Sequence, residues 1–298
     1  MILLIGAPVD PALARLRQLL RRTGVQHLLL DERALQDYAI EDPPAGAAVP
    51  GWTIRGAACT GRRRVGVVFV RHWADVASPA ALAAEQRRRR PLRSLLVATS
   101  CLVVNRPSLA WANFCKPAQL AALAAQGFEV PRTLVSNDPR AALQFVLELE
   151  GRVVVKGVSS AKTFPRVVGP WHIQRMDRLR QCPAQFQELI DGDDVRVTVV
   201  GEHAFATRML AGQPARAGPA DDALPREIVQ RCVSATRAEG LVMSGIDLRC
   251  DAQGQCHALE LNPFPKWTHY ESREDPIITM QLARYLAENQ NAPSDVWA

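Results

Sequence analysis

The 298-residue chain has no C-x-x-C pair and no histidine placed near a cysteine in zinc-finger spacing, which argues against a structural zinc site. No apolar stretch reaches the roughly 18 residues that a membrane-spanning helix needs. The opening MILLIGAPVDP is too short for a signal peptide and lacks its basic flank. The seven cysteines, at 59, 101, 115, 182, 232, 250 and 256, are an odd number without paired spacing, and we read them as reduced thiols of a cytoplasmic protein. Also missing is the glycine-rich dinucleotide fingerprint: Gly6 is followed by APVDP, with no second or third glycine, which disfavours a nicotinamide enzyme. Aromatic residues make up only 6% of the chain, and none interleaves with the run Arg87 to Arg90. That run ends at Pro91 and reads as a solvated helix face, so nucleic acid is disfavoured as a partner. The net charge of +6, from 36 basic and 30 acidic residues, still permits anionic ligands.

What is present is a large apolar fraction, 48%, arranged in short runs that alternate with amphipathic segments. MILLIG reads as a buried strand. Asp10 and Pro11 open a helix with Leu13, Leu16, Leu19 and Leu20 on one face, and Gly24 closes it ahead of the strand VQHLLLD. This is a parallel βαβ start. Residues 41 to 64 read as a loop-rich excursion before the strand VGVVFV, and a helix follows from Ser78-Pro79. WANFCKPAQLAALAAQGF reads as a helix opening a second region. A strand LVS, a helix capped by Asn137 or Asp138, and the strand GRVVVKG come next.

Near the carboxyl end, SGIDLRCDAQGQCHALELNP reads as a β-hairpin across Asp251 to Gly254. With Ala252 to Gln255 as the loop, Asp251 faces Cys256, and counting inward places Asp247 opposite Glu260. Alternation then puts Glu260 and Asn262 on the face of Asp247, with Leu259 and Leu261 on the other. Two carboxylates about 5 Å apart repel by about 3 kcal/mol at an effective dielectric of ~20, so a positive group is expected between them. Two carboxylates and an amide are hard oxygen ligands that suit Mg²⁺. The plain alternative is a solvated hairpin face.

Lys156 closes an apolar strand ahead of Gly157, Ser159 and Ser160, where an ammonium and backbone amides can hold phosphates. The alternative is a solvated strand end. In DVRVTVVG, Arg196 and Thr198 alternate with valines and therefore face together. Taken in order, Lys116, Lys156, QELI at 187 to 190, DDVRVTVVG, GIDLR and LELNP resemble the ATP-grasp ligases. The branch they are most like is that of the ribosomal-protein glutamate ligases, which includes enzymes that crosslink side chains in ribosomally made peptides. The resemblance covers about residues 100 to 288.

It implies an α/β chain with the ATP-grasp fold: a Rossmann-like pre-grasp domain at 1–107, a central lobe at 108–186 and a carboxyl-terminal lobe with the metal site at 187–298. By the same resemblance Lys116 and Lys156 contact ATP phosphates. Glu188 and Ile190 meet adenine through backbone atoms, with Gln187 and Leu189 beside them, and Asp194 lies near ribose. Asp247, Glu260 and Asn262 hold Mg²⁺, as two ions, while Arg208 and Arg249 act at the transferred phosphoryl group. The implied activity is ATP-dependent joining of a carboxylate to an amine through an acyl phosphate, with ester formation also open. Its partners are a peptide or small carboxylate and an amine nucleophile, without membrane, and homo-oligomerisation is left open. An ATP-grasp kinase and a non-catalytic ATP-binding module are the alternatives. NPFPKW in place of an asparagine-glycine-glutamine ending departs from the peptide-crosslinking relatives, as does the segment 211 to 224, which lacks their arginine-bearing word.

Overall fold

The computed structural model describes residues 1–41, 53–56, 59–71, 90–99, 101–107, 115–158, 165–210, 213–214, 216–251 and 253–290. Of the basic run, Arg87 to Arg89 lie outside these residues, as do Ser159 and Ser160.

The amino-terminal region is built on strands β1 (Ile2–Ile5), β2 (His27–Leu30), β3 (Tyr38–Glu41), β4 (Thr53–Gly56), β5 (Cys59–Arg64), β6 (Val67–Val70) and β7 (Leu102–Val104). Four of them form a parallel sheet in the order β2-β1-β6-β7. β1 and β6 are buried at every position because the sheet is covered on both faces, which is why they read as continuous apolar runs. Helix α1 (Pro11–Arg22) starts where expected: the Asp10 carboxylate accepts from the amides of Ala12 and Leu13 at 2.8 and 3.1 Å. Leu13, Leu16 and Leu20 are fully buried, each contributing about 1.5–3 kcal/mol. The stretch expected to be loop-rich instead holds β4 and β5, which form an antiparallel sheet with β3 in the order β3-β4-β5.

Helix α2 (Lys116–Ala125) opens the central region. There β8 (Thr133–Ser136), β9 (Val153–Gly157), β10 (Arg166–Val167) and β11 (Ala184–Glu188) form an antiparallel sheet in the order β10-β9-β11-β8, backed by helix α3 (Pro139–Glu148). Asp138, not Asn137, caps that helix, accepting from the Arg140 amide. A boundary between 186 and 187 falls inside β11.

In the carboxyl-terminal region β12 (Asp193–Val200), β13 (His203–Leu210), β14 (Gln213–Pro214), β15 (Gly218–Pro219), β16 (Met243–Cys250) and β17 (Cys256–Asn262) form one sheet, ordered β14-β13-β12-β16-β17 with β15 also on β13. Helix α4 (Arg226–Ala238) covers one face: Val229, Cys232 and Ala235 pack with Val195, Val197, Val199, Ile246, Leu248 and Leu261. The opposite face carries the polar partners of the alternation. Helix α5 (Ile277–Asn289) returns to the amino-terminal region, its Ile278, Leu282 and Leu286 sharing a core with Leu13, Leu16, Leu20 and Phe69. Gly66 is needed for this return, since a Cβ there would lie 1.7 Å from the Gln290 carbonyl oxygen. Asn105 ties β7 to the base of the hairpin. Its Oδ1 accepts from the amides of Val242 and Met243, and its Nδ2 donates to the carbonyls of Met243 and Pro263.

Candidate active site

The hairpin β16–β17 pairs Asp247 with Glu260, but not by the expected path. The facing residues at its closed end are Cys250 and Cys256, one position away from the anticipated register. Leu259 then bulges out of the ladder, so that Leu248 faces Ala258 while Asp247 faces Glu260. Two offsets of one residue cancel. The turn is fixed by Asp251, whose carboxylate accepts from the amides of Gln253 and Gln255, and by Gly254 at φ +84°. Directly opposed, Cys250 and Cys256 form a disulfide with their Cα atoms 4.1 Å apart, which corrects the reading of all seven cysteines as free thiols.

Across the polar face of the sheet, one row reads Thr207, Arg196, Asp247, Glu260 and the next reads Phe205, Thr198, Gly245, Asn262. The positive charge expected between the two acids comes from the protein itself. Arg196 Nη1 donates to Asp247 Oδ1 at 2.6 Å, and Lys116 Nζ at the start of α2 donates to Glu260 Oε2 at 2.7 Å. Arg196 is 8% exposed, and its Nε makes no hydrogen bond among the described residues. Burial, the largest influence on Arg196, works against its charge. Asp247, with Tyr270 and Glu260, outweighs it and raises the guanidinium pKa above the ordinary value.

Lys156 approaches from β9, donating from Nζ to Gln187 Oε1 at 3.0 Å, while Gln187 Nε2 donates to Thr133 Oγ1. Burial and then the neighbouring Lys116 lower the Lys156 pKa, with Glu260 and Asp247 pulling it back up. Lys116, Lys156, Asp247 and Glu260 are thus close enough to sense one another. Gln185 faces Lys156 in the β9–β11 register, fully buried, and its carboxamide makes no hydrogen bond among the described residues.

The other expected residues divide. Asp194 and Arg249 face each other two positions along the same side of the sheet and form an ion pair at 2.7 Å. Glu188, Leu189 and Ile190 run from the end of β11 towards β12. There the Glu188 amide donates to the Arg132 carbonyl and the Leu189 amide to the Arg152 carbonyl. Arg208 is not brought to the cluster. It faces Val195, on the side covered by α4, pairs with Asp193 at 3.4 Å and donates to the Ala223 carbonyl. The two-residue turn Gly201–Glu202 already implied this, because counting back from it puts Arg208 opposite Val195 and Thr207 opposite Arg196. Arg196 is the residue that sequence reasoning passed over. Its position in DVRVTVVG showed which way it faced, but not that Asp247 lay beside it.

Among the described residues no group of three or more His, Cys, Asp or Glu side chains gathers for a metal. The oxygen set of Asp247, Glu260 and Asn262 nevertheless fits Mg²⁺. Each acid uses one oxygen in its ion pair and keeps another, their side chains are 42% and 26% exposed, and Asn262 faces Gly245 in the adjoining row. Asn262 Oδ1 also accepts from the Phe264 amide at 2.8 Å, which fixes its orientation. No helix among the described residues is long and apolar enough to cross a membrane.

No family model matches the sequence, and no curated protein does. Solved structures do match. The ATP-grasp ligase PsnB, complexed with a phosphomimetic variant of a minimal precursor, Mg and ADP, is 27% identical. The match covers 97% of this chain and 98% of that one with a TM-score of 0.80. The macrocyclase MdnC from Microcystis aeruginosa MRC, bound with the precursor peptide MdnA, is 22% identical over 97% of this chain and 99% of that one, at 0.78. A RiPP-associated ATP-grasp ligase of Chryseobacterium gregarium, in complex with ADP and a leader and core peptide, is 18% identical, covering 100% of this chain and 99% of that one, at 0.80. In fold and along nearly its whole length, the chain is similar to ATP-grasp ligases solved with precursor peptides.

Proposed function

We propose that the protein is an ADP-forming ligase that uses ATP to activate a carboxylate of a peptide and joins it to a nucleophile, an amine in the simplest case. One observation carries this reading. Lys116, Lys156, Arg196, Asp247 and Glu260, drawn from one helix and four strands of two sheets, come together where those sheets meet. Three cations against two carboxylates leave an excess of positive charge suited to a polyphosphate. The likeness to PsnB, whose complex contains Mg and ADP, supports a nucleotide as the ligand.

In this reading Lys116, Lys156 and Arg196 hold phosphate oxygens and neutralise charge as the phosphoryl group moves. Asp247, Glu260 and Asn262 would hold Mg²⁺, which when bound supplies further charge neutralisation on the phosphates. Glu188 and Ile190 present backbone atoms to adenine, and the Asp194–Arg249 pair lies towards the ribose. A substrate carboxylate oxygen attacks the γ-phosphorus, the bond to the β,γ-bridging oxygen breaks and ADP leaves. The nucleophile then adds to the acyl carbon, loses its proton and expels inorganic phosphate. No protein nucleophile is required, and positioning is the main contribution of the chain.

The test uses a short acidic peptide, its carboxylates labelled with heavy oxygen. Release of ADP and of phosphate carrying one heavy oxygen, with a product lighter by one water, is the expected result. A phosphorylated hydroxyl with no free phosphate would instead make the protein a kinase, and nucleotide binding without turnover a binding module.

A further inference from the structure

Gly245 lies in the middle of β16, facing Thr198 on one side and Asn262 on the other. A glycine inside a strand gives up about 0.5–1 kcal/mol relative to alanine, so its presence calls for a local reason. Its backbone gives none: Gly245 is not among the residues with positive φ. Space does. A Cβ built at Gly245 would lie 2.3 Å from Arg196 Nη2, 2.6 Å from Cζ and 2.8 Å from Nε, and these are the three nearest atoms. The Arg196 guanidinium therefore occupies the place of the missing side chain, one row from its own backbone and beside Asp247.

We propose that Gly245 is a positioning residue, the vacant floor on which the Arg196 guanidinium rests so that it points at the γ-phosphate of a bound nucleoside triphosphate. This rests on the reading that the cluster holds ATP. Arg196 belongs to a central strand paired on both sides and is almost wholly buried, so its head has little freedom to move elsewhere if the floor is filled. One donor, Nη1, is engaged by Asp247, which leaves the rest of the fork for a ligand. The position asks for no side chain because the side chain that matters comes from the neighbouring strand.

Calorimetry with Mg²⁺–AMPPNP and Mg²⁺–ADP tests this on the wild type, Gly245→Ala, Arg196→Ala and the double variant. Gly245→Ala is expected to weaken AMPPNP binding by about tenfold or more, as for a lost hydrogen bond to a charged group, and ADP binding by less than about threefold. In the Arg196→Ala background the added methyl has room, so the double variant should bind both nucleotides as Arg196→Ala does. Equal losses for the two nucleotides, or losses that add in the double variant, would overturn the proposal. If Gly245→Ala does not fold, the double variant decides: folding as stably as Arg196→Ala supports the proposal, and failure to fold defeats it. A wild type that binds neither nucleotide defeats the ATP reading itself. Normal wild-type binding that Arg196→Ala weakens and Gly245→Ala leaves intact defeats only the role of Gly245.

Discussion

Two glutamates mark the two ends of one structural problem. Glu271 has a fully buried side chain at the junction of α1, α5 and the loop after β17, and both its oxygens are engaged: one meets Arg15 Nη1 at 2.9 Å and the Thr279 hydroxyl, and the other accepts the Thr279 amide at 2.9 Å. Thr279 in turn accepts from Trp267 Nε1. Glu260, on the open face of the neighbouring hairpin, has Lys116 as its ion-pair partner and keeps an oxygen to spare. A buried carboxylate with both oxygens committed stabilises the fold, whereas one left short of donors beside an excess of cations is arranged for something that arrives later.

The contrast breaks most readily at Glu260. Glu260→Gln is expected to lower ADP formation by about a thousandfold, ~4 kcal/mol in activation free energy, while its urea midpoint shifts by less than the equivalent of about 1 kcal/mol. Glu271→Ala should do the reverse. Removing one partner of a buried pair is expected to cost about 3 kcal/mol in denaturant unfolding and to leave Mg²⁺–AMPPNP affinity nearly unmoved. If both substitutions acted alike, the distinction between a committed and an open carboxylate would fail.

Lys156→Ala sharpens the comparison with a smaller effect, a loss of about 1–3 kcal/mol in AMPPNP binding. Because burial and Lys116 lower the Lys156 pKa, wild-type affinity should fall as pH rises through a value below the usual one for lysine. The charged form is the phosphate-binding form, so affinity is retained below that pKa and lost above it, and titrations of Lys156→Ala should lack this limb. The smallest effect is expected from changing Arg87, Arg88, Arg89 and Arg90 together to Gln. That variant should show a raised Michaelis constant and a weaker salt dependence for an acidic peptide, measured between low and physiological salt, with nucleotide affinity unaltered.

The sequence carried more about which residues share a face than about what they meet. The parallel start, the Asp10 cap and the polar hairpin face follow from runs and alternation that local physics makes visible. The Asp247–Glu260 pair came out right although the assumed turn was wrong by one, because no pattern in CHALEL announces a bulge at Leu259. The disulfide was lost for the same reason, since the assumed register set Cys256 against Asp251. Arg208 and Arg196 illustrate parity: both are arginines on adjacent strands, and only counting through Gly201–Glu202 separates the face that meets Asp247 from the face under α4. The clustering of Lys116 and Lys156 with the hairpin depends on how two sheets pack, for which spacing along the chain carries no signal.

Titration of AMPPNP into the wild-type protein and into Asp247→Asn, each with and without Mg²⁺, tests most directly whether the polar face of the carboxyl-terminal sheet is a metal-nucleotide site. Wild-type binding is expected to strengthen at least about tenfold when Mg²⁺ is present, and the Asp247→Asn variant is expected to fold but to lack that strengthening. Binding that is indifferent to Mg²⁺ in the wild type, or equally Mg²⁺-dependent in Asp247→Asn, would contradict such a site.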